Sequence, residues 1–160
     1  MLEITLLTVG KLKEKFYLSA AAEYEKRLKA YCRFTIVELP ESRLPDDPSP
    51  GEIAAGLEKE ASLILGKLPK NAWFCVLTPE GKNLSSEALA EKMAQVKLSG
   101  KSAICFLIGS SFGMAPQVKA AADFQLSMGA MTFPHHLARI MVLEQIYRAE
   151  AIQAGSKYHK

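Results

Sequence analysis

Three loop-forming segments of this chain gather residues suited to holding a small ligand, and a short tail carries residues able to move a proton. The first, Leu77 to Lys82, reads LTPEGK: Pro79 and Gly81 make a turn and leave Glu80 and Lys82 exposed. The second, Ile108 to Pro116, reads IGSSFGMAP. Gly109 and Gly113 allow a backbone to approach a ligand closely or to take positive φ. Pro116 opens a helix whose free N–H groups face polar ligand atoms. The third, Leu126 to Arg139, reads LSMGAMTFPHHLAR and is apolar for a loop, with Met128, Gly129, Ala130, Met131, Thr132 and Phe133 in succession. Loops normally run polar over a surface, so this one needs something to cover: a flat cofactor ring, a partner subunit or the core. His135 and Arg139 are spaced to share one helix face. The tail, GSKYHK, carries Tyr158 and His159. Each segment also has an ordinary reading: two turns, a core cover and a solvated tail.

Other chemistries are not indicated. The second loop lacks the Gly-Lys-Ser/Thr ending of a phosphate loop, and its glycines do not fit GxGxxG. No nucleophile elbow, Ser-His-Asp pattern or HExxH is present, so covalent catalysis is not suggested. His135 and His136 are adjacent with no third ligand to complete a site, and no metal is expected. Cys32, Cys75 and Cys105 are odd in number and widely separated, which reads as buried, reduced thiols.

Composition bounds the rest. The 160 residues, 49% hydrophobic and 23% charged, suit a single packed domain spanning 1–160. No apolar run reaches the roughly 20 residues of a membrane-spanning helix. The opening MLEITLLTVGK reads as a first strand and not as a signal peptide, so a cytoplasmic protein is expected. A net charge of +3 permits an RNA partner without arguing for one.

The elements that must position these loops alternate. Strands are predicted at Leu2 to Val9, Phe34 to Leu39, Ala72 to Thr78, Ser102 to Ile108 and Phe124 to Ser127. Helices are predicted at Lys13 to Tyr31, Ile53 to Leu68, from Ser85 or Ser86 to the residues before Gly100, from Pro116 onward, and from His136 to Ala154. The segment PESRLPDDPSPGE, holding four of the eight prolines, reads as an exposed loop. Wholly apolar strands need cover on both faces, which gives an α/β domain with a mainly parallel sheet of about five strands and helices on both sides. Ligands of such sheets sit at the carboxyl ends of the strands, where the three loops lie. Glycine at 109 is expected to serve close ligand approach, so that Gly109→Val blocks binding and leaves the fold intact. The last helix carries more apolar surface than one face needs, which predicts burial against a twin subunit. Glu144 and Arg148 on that helix read as a structural salt bridge.

The three loops in this order, with the ending EQIYRAEAIQAGSKYHK, resemble the ribosomal RNA large-subunit methyltransferase H family of SPOUT enzymes. The likeness spans the chain: the opening strand with Gly10, IGS-x-x-G, S-x-x-x-MTFPH-x-x-x-R and the final YHK. Ser110 stands where that family often has a second glycine. The resemblance implies a C-terminal trefoil knot, a rare exception to unknotted topology. It implies a homodimer, and methylation of N3 of a pseudouridine in large-subunit (23S) ribosomal RNA, on the assembled ribosome. It also implies S-adenosylmethionine bound by Leu77, Gly109, Met128, Gly129, Ala130, Met131, Thr132 and Phe133. Arg139, Tyr158 and His159 are then the catalytic candidates, with Arg139 gripping an RNA phosphate and His159 accepting or steering the imide proton. Two other readings remain: a SPOUT enzyme with another RNA acceptor, and a non-catalytic nucleotide- or RNA-binding module.

Overall fold

A computed structural model of the protein describes residues 2–160. Ten elements follow in the order β1 (Glu3–Val9), α1 (Lys15–Leu28), β2 (Arg33–Leu39), α2 (Pro50–Lys67), β3 (Ala72–Asn83), α3 (Ser86–Leu98), β4 (Ala103–Ile108), α4 (Pro116–Ala121), β5 (Phe124–Ser127) and α5 (His135–Gln153). The five strands form one sheet in the order β2-β1-β4-β3-β5, and every pairing is parallel.

Crossovers between parallel strands are right-handed, so the direction of each step along the sheet decides which face its helix covers. The steps β1→β2 and β3→β4 run one way, and those through α2 and α4 run the other. α1 and α3 accordingly share one face with α5, packed on Ile4, Leu6, Ile104 and Phe106, while α2 and α4 cover Leu7, Val9, Cys105 and Leu107 on the opposite face. β4 lies at the centre and is buried along its whole length. Cys32, Cys75 and Cys105 are buried free thiols, and burial raises Cys32 and Cys105 to about 12.

Several boundaries differ from the sequence reading, α1 among them at Lys15–Leu28, and three have a clear local cause. α2 starts at Pro50, three residues early, because Ser49 and Glu52 form a reciprocal capping box with proline in the first turn. Those residues look like loop when the prolines alone are counted. β3 runs past Thr78 to Asn83: Leu77 and Lys82 both stand opposite Leu126, and the residues between them bulge out of the ladder. The turn at Pro79 to Gly81 is therefore carried within a strand. α5 begins at His135, one residue early, with Pro134 as its cap.

α5 uses much of its apolar surface within the chain. It packs against both α1 and α3, and none of its residues is exposed. Leu143 and Ile146 are fully buried, with Ile140, Tyr147 and Ile152 packed against the same core. Part of the apolar surface expected to face a twin subunit is thus used within the chain, since a helix between two neighbours requires more than one apolar face, while Ile140, Met141, Tyr147 and Ile152 stay partly exposed.

Candidate functional site

The carboxyl ends of β3, β4 and β5 open into a cavity of about 600 Å³. Its walls include all eight residues expected to hold a cofactor: Leu77, Gly109 and the run Met128 to Phe133. The bulge of β3 adds Thr78, Pro79 and Glu80, the β4 loop adds Ser110 to Met114, and the start of α5 adds Pro134, His135 and Ala138. All of these fall in the three loop segments 77–82, 108–116 and 126–139 read from the sequence; which of their residues face the cavity is decided by how each loop folds.

Each wall has a local cause. Ser110 and Gly113 exchange both backbone hydrogen bonds, 3.1 and 2.8 Å, across Ser111 and Phe112. Gly113 takes φ +90° to close that turn. A Cβ on Gly109 would stand 2.4 Å from the Gly113 carbonyl oxygen, so position 109 is glycine because of the turn itself. The expectation that Gly109→Val leaves the fold intact is corrected: any side chain there displaces backbone. Gly81 is equally constrained, with a Cβ 2.6 Å from the Gln125 carbonyl oxygen of β5. In the third loop, the Ser127 hydroxyl accepts from the Gly129 amide at 3.2 Å and faces the Gly129 carbonyl at 3.3 Å, setting the bend at φ +119°. Met131 is 79% exposed and Phe112 47% exposed, so both lining loops present large apolar side chains to solvent.

Charge at this cavity is sparse. Glu80 and Lys119, both in the lining, form an ion pair, and the hydrogen bond from Lys119 is the main cause that holds the Glu80 carboxyl down at about 2. His135 has its pKa lowered, first by burial and then by its neighbour His136; it is neutral near pH 7.

Arg139 is 2% exposed. Its guanidinium donates to Glu38 Oε2 at 2.6 Å and to the Gly10 carbonyl at 3.0 Å, and Glu38 Oε2 also accepts from the Leu12 amide at 3.3 Å. So engaged, Arg139 ties the start of α5 to the ends of β1 and β2 and does not present itself to a phosphate. The helix-surface position expected from spacing does not hold, because α5 is flanked on both sides.

The tail is ordered against α5 and α3, away from the cavity lining. Tyr158 donates to Glu144 Oε2 at 2.6 Å and meets the Tyr147 ring edge-on at 4.7 Å. The bond to Glu144 raises its phenol to about 12. Burial pushes Glu144 upward, yet hydrogen bonds from Arg148 and Tyr158 outweigh it and the carboxyl lies below its usual value. Arg148 grips Glu144 through Nε and Nη2, at 3.1 and 2.9 Å, so the salt bridge expected at i, i+4 is present. Its Nη1 meets His159 Nδ1 at 3.0 Å, while His159 Nε2 meets Glu87 Oε1 at 2.6 Å. Glu87 also suits the positive end of α3, where it stands in the first turn; no spacing rule reaches a partner 72 positions away.

A second cavity of about 550 Å³ lies between the start of α3, the end of β5 and α5. Ser127, Met128 and Gly129 line both cavities, and Glu144 reaches the second one. Among the described residues, no group of three or more His, Cys, Asp or Glu could hold a metal ion, and no helix is long and apolar enough to cross a membrane.

A family model described as "Predicted SPOUT methyltransferase" matches residues 2–159. The chain is 42% identical over 159 residues to the ribosomal RNA large subunit methyltransferase H of Clostridioides difficile, covering 99% of this chain and all of that one. It is 45% identical, with the same coverage, to the protein of that name from Streptococcus thermophilus. Among solved structures, a probable methylase family protein from Haemophilus influenzae aligns with a TM-score of 0.51 at 14% identity, over 99% of this chain and 70% of that one. That last likeness concerns the fold alone.

Proposed function

Because the chain belongs to the SPOUT methyltransferase family, we propose that it methylates N3 of a pseudouridine in large-subunit ribosomal RNA, using S-adenosylmethionine. The observation that carries this reading is the single cavity on whose walls Leu77, Gly109 and Met128 to Phe133 meet. Its volume of about 600 Å³ lies within the range of small-molecule sites, roughly 300–1,000 Å³. The donor set suits such a cofactor: backbone amides and carbonyls of two tight loops for the adenine edge, and Leu77, Met128 and Phe133 for its faces. Bound there, S-adenosylmethionine supplies an electrophilic sulfonium methyl. What remains for the protein is to position the acceptor nitrogen and remove its proton.

His135, neutral at the cavity wall, adds a polar contact without a competing positive charge. Arg139 acts by positioning: it holds the start of α5, and with it His135 and Ala138, against β1 and β2. Tyr158, kept protonated by Glu144, stacks and donates; the proton acceptor of the tail is His159.

In its own chain the tail bonds to Glu144 and Arg148, nine and thirteen residues along α5 from His135. At 1.5 Å per residue these lie ~9 and ~15 Å along the axis from Ala138, the last residue of α5 on the cavity wall. A two-fold dimer with antiparallel α5 helices brings one subunit's tail to its partner's cavity, so we take the active assembly to be a homodimer. The C-terminal stretch is read as knotted, as membership of the SPOUT family implies. The substrate is taken to be the assembled ribosome, in the cytoplasm. A charge of +3 per chain gives little grip on a free strand, because affinity grows with the phosphates neutralised. Isothermal titration with S-adenosylmethionine tests the cavity, and mass spectrometry of ribosomal RNA from cells lacking the gene tests the substrate. Absence of heat on titration, or an unchanged large-subunit methylation pattern, overturns the corresponding half of the reading.

A further inference from the structure

His159 touches donor-only and acceptor-only groups on its two ring nitrogens, and together they settle its tautomer. A guanidinium has no acceptor, so Arg148 Nη1, at 3.0 Å, donates to Nδ1. Nδ1 therefore carries the lone pair, and Nε2 carries the proton and donates to Glu87 Oε1 at 2.6 Å. Arg148 is itself fixed, since Nε and Nη2 are taken by Glu144. These are the groups facing the ring: Glu87 from α3, Arg148 from α5 with Glu144 behind it, and Tyr158 beside it in the tail, whose ring lies 4.8 Å beneath the Arg148 guanidinium.

We infer that Glu87 is the positioning carboxylate of a Glu87–His159 pair that presents His159 Nδ1 as the proton acceptor for the substrate imide. The inference rests on the reading of the tail given above. The arrangement follows the logic by which a carboxylate on one imidazole nitrogen orients the ring and stabilises the imidazolium that forms at the other. In the step itself, the substrate N3–H bond breaks and an Nδ1–H bond forms. The electron pair of the broken bond stays on N3, which is then nucleophilic. The positive charge gained by the ring is matched by Glu87 on its far side, and the proton later leaves to water. For this the imide N–H displaces Arg148 Nη1 from Nδ1, which requires the planar guanidinium to turn away and exchange its bonds to Glu144. The Glu87 carboxyl lies below its usual value, chiefly through the bond from His159, so it is ionised wherever the pair would act. Glu87 is on a different element and 72 positions from His159, and it lies outside the lining of both cavities.

The test compares Glu87→Ala and Glu87→Gln with the unaltered protein and with His159→Ala. The 15N NMR signals of His159 should show the Nε2–H tautomer in the unaltered protein and a mixture of tautomers in Glu87→Ala. Glu87→Gln, which keeps an acceptor oxygen, should restore the tautomer but not the charge. On ribosomes lacking the modification, Glu87→Ala should lower kcat about tenfold or more, with Glu87→Gln in between. The expected loss is below that for a buried orienting carboxylate, since Glu87 is exposed to solvent screening. Cofactor affinity by calorimetry should stay unchanged in every variant. An unaltered tautomer and kcat in Glu87→Ala, with His159→Ala inactive, overturns the role of Glu87 and leaves the tail in the mechanism. Full turnover by His159→Ala overturns both.

Discussion

The cavity at the strand ends and the clamp around the tail are built from different materials. The cavity is made of backbone: two glycines that tolerate no Cβ, a four-residue turn closed by paired amides, and a loop bent by a serine on its own neighbour. Its residues come in short contiguous runs. The clamp is made of charged side chains from three separate places, Glu87 on α3, Glu144 and Arg148 on α5, and Tyr158 and His159 beyond it. Backbone walls suit a ligand that is held, since they bind without moving. Hydrogen-bonded side chains on a short tail suit a proton that must be moved, since each bond can be exchanged at small cost. The cavity should therefore be sensitive to volume and the clamp to charge.

The largest expected effect separates the two regions outright. Deleting Lys157 to Lys160 should reduce methyl transfer to ribosomes by about a hundredfold or more, in the range for losing an acid–base group, with S-adenosylmethionine affinity nearly unchanged. Full activity after truncation removes the tail from the mechanism. Next comes the post that joins α5 to the sheet. Arg139→Ala leaves the Gly10 carbonyl and Glu38 without their buried partner. It should cost about 2–3 kcal/mol in urea unfolding, less than for a fully buried pair because Glu38 can rehydrate. It should also weaken cofactor binding, because α5 carries His135 and Ala138 into the cavity wall; a stable variant with intact affinity contradicts the positioning role. Gly109→Ala should cost about 1–3 kcal/mol, as overpacking does, and lose affinity at the same time, since turn and wall are the same atoms. Gly129→Ala meets no neighbour and should pay only for its positive φ, about 1 kcal/mol. Equal losses at 109 and 129 would show that volume is not what the cavity senses.

The smallest effect is a titration. The Tyr158 phenol is raised from 10.0 to about 12 by its bond to Glu144. A folded-state value above the unfolded one means that the stabilisation is complete below pH 10 and is lost as pH rises through about 12. Ultraviolet difference titration should show one tyrosine ionising near pH 12 that is absent in Tyr158→Phe and returns to an ordinary value in Glu144→Gln. No change in Glu144→Gln would detach Tyr158 from the clamp.

Much of the cavity is legible from the chain because its parts are local. An apolar strand ends at a glycine-bearing turn, and strand alternation with helices puts all such turns at one edge of a parallel sheet. The three loops carrying Leu77, Gly109 and Met128 to Phe133 could thus be grouped before any coordinates, while the choice of these eight residues as the cofactor pocket is what the family resemblance implied. The purpose of Gly109 could not, because the atom it must avoid, the Gly113 carbonyl, is placed by a turn whose closure is not a matter of residue type. The bulge of β3 was hidden for a similar reason: Pro79 and Gly81 signal a turn, and only pairing of Lys82 with β5 makes it an interruption within a strand.

By itself the sequence determined the α/β class, the parallel sheet, the burial of the cysteines and the i, i+4 pairing of Glu144 with Arg148, all of which depend on periodicities within one element. Tertiary structure alone decided that α5 lies between two helices, that Arg139 is buried on Glu38 and Gly10, and that His159 meets Glu87. Those contacts join positions 101, 129 and 72 residues apart. Spacing along a helix or strand carries no information at such separations, and the partner is fixed only when right-handed crossovers bring α1, α3 and α5 onto the same face of the sheet.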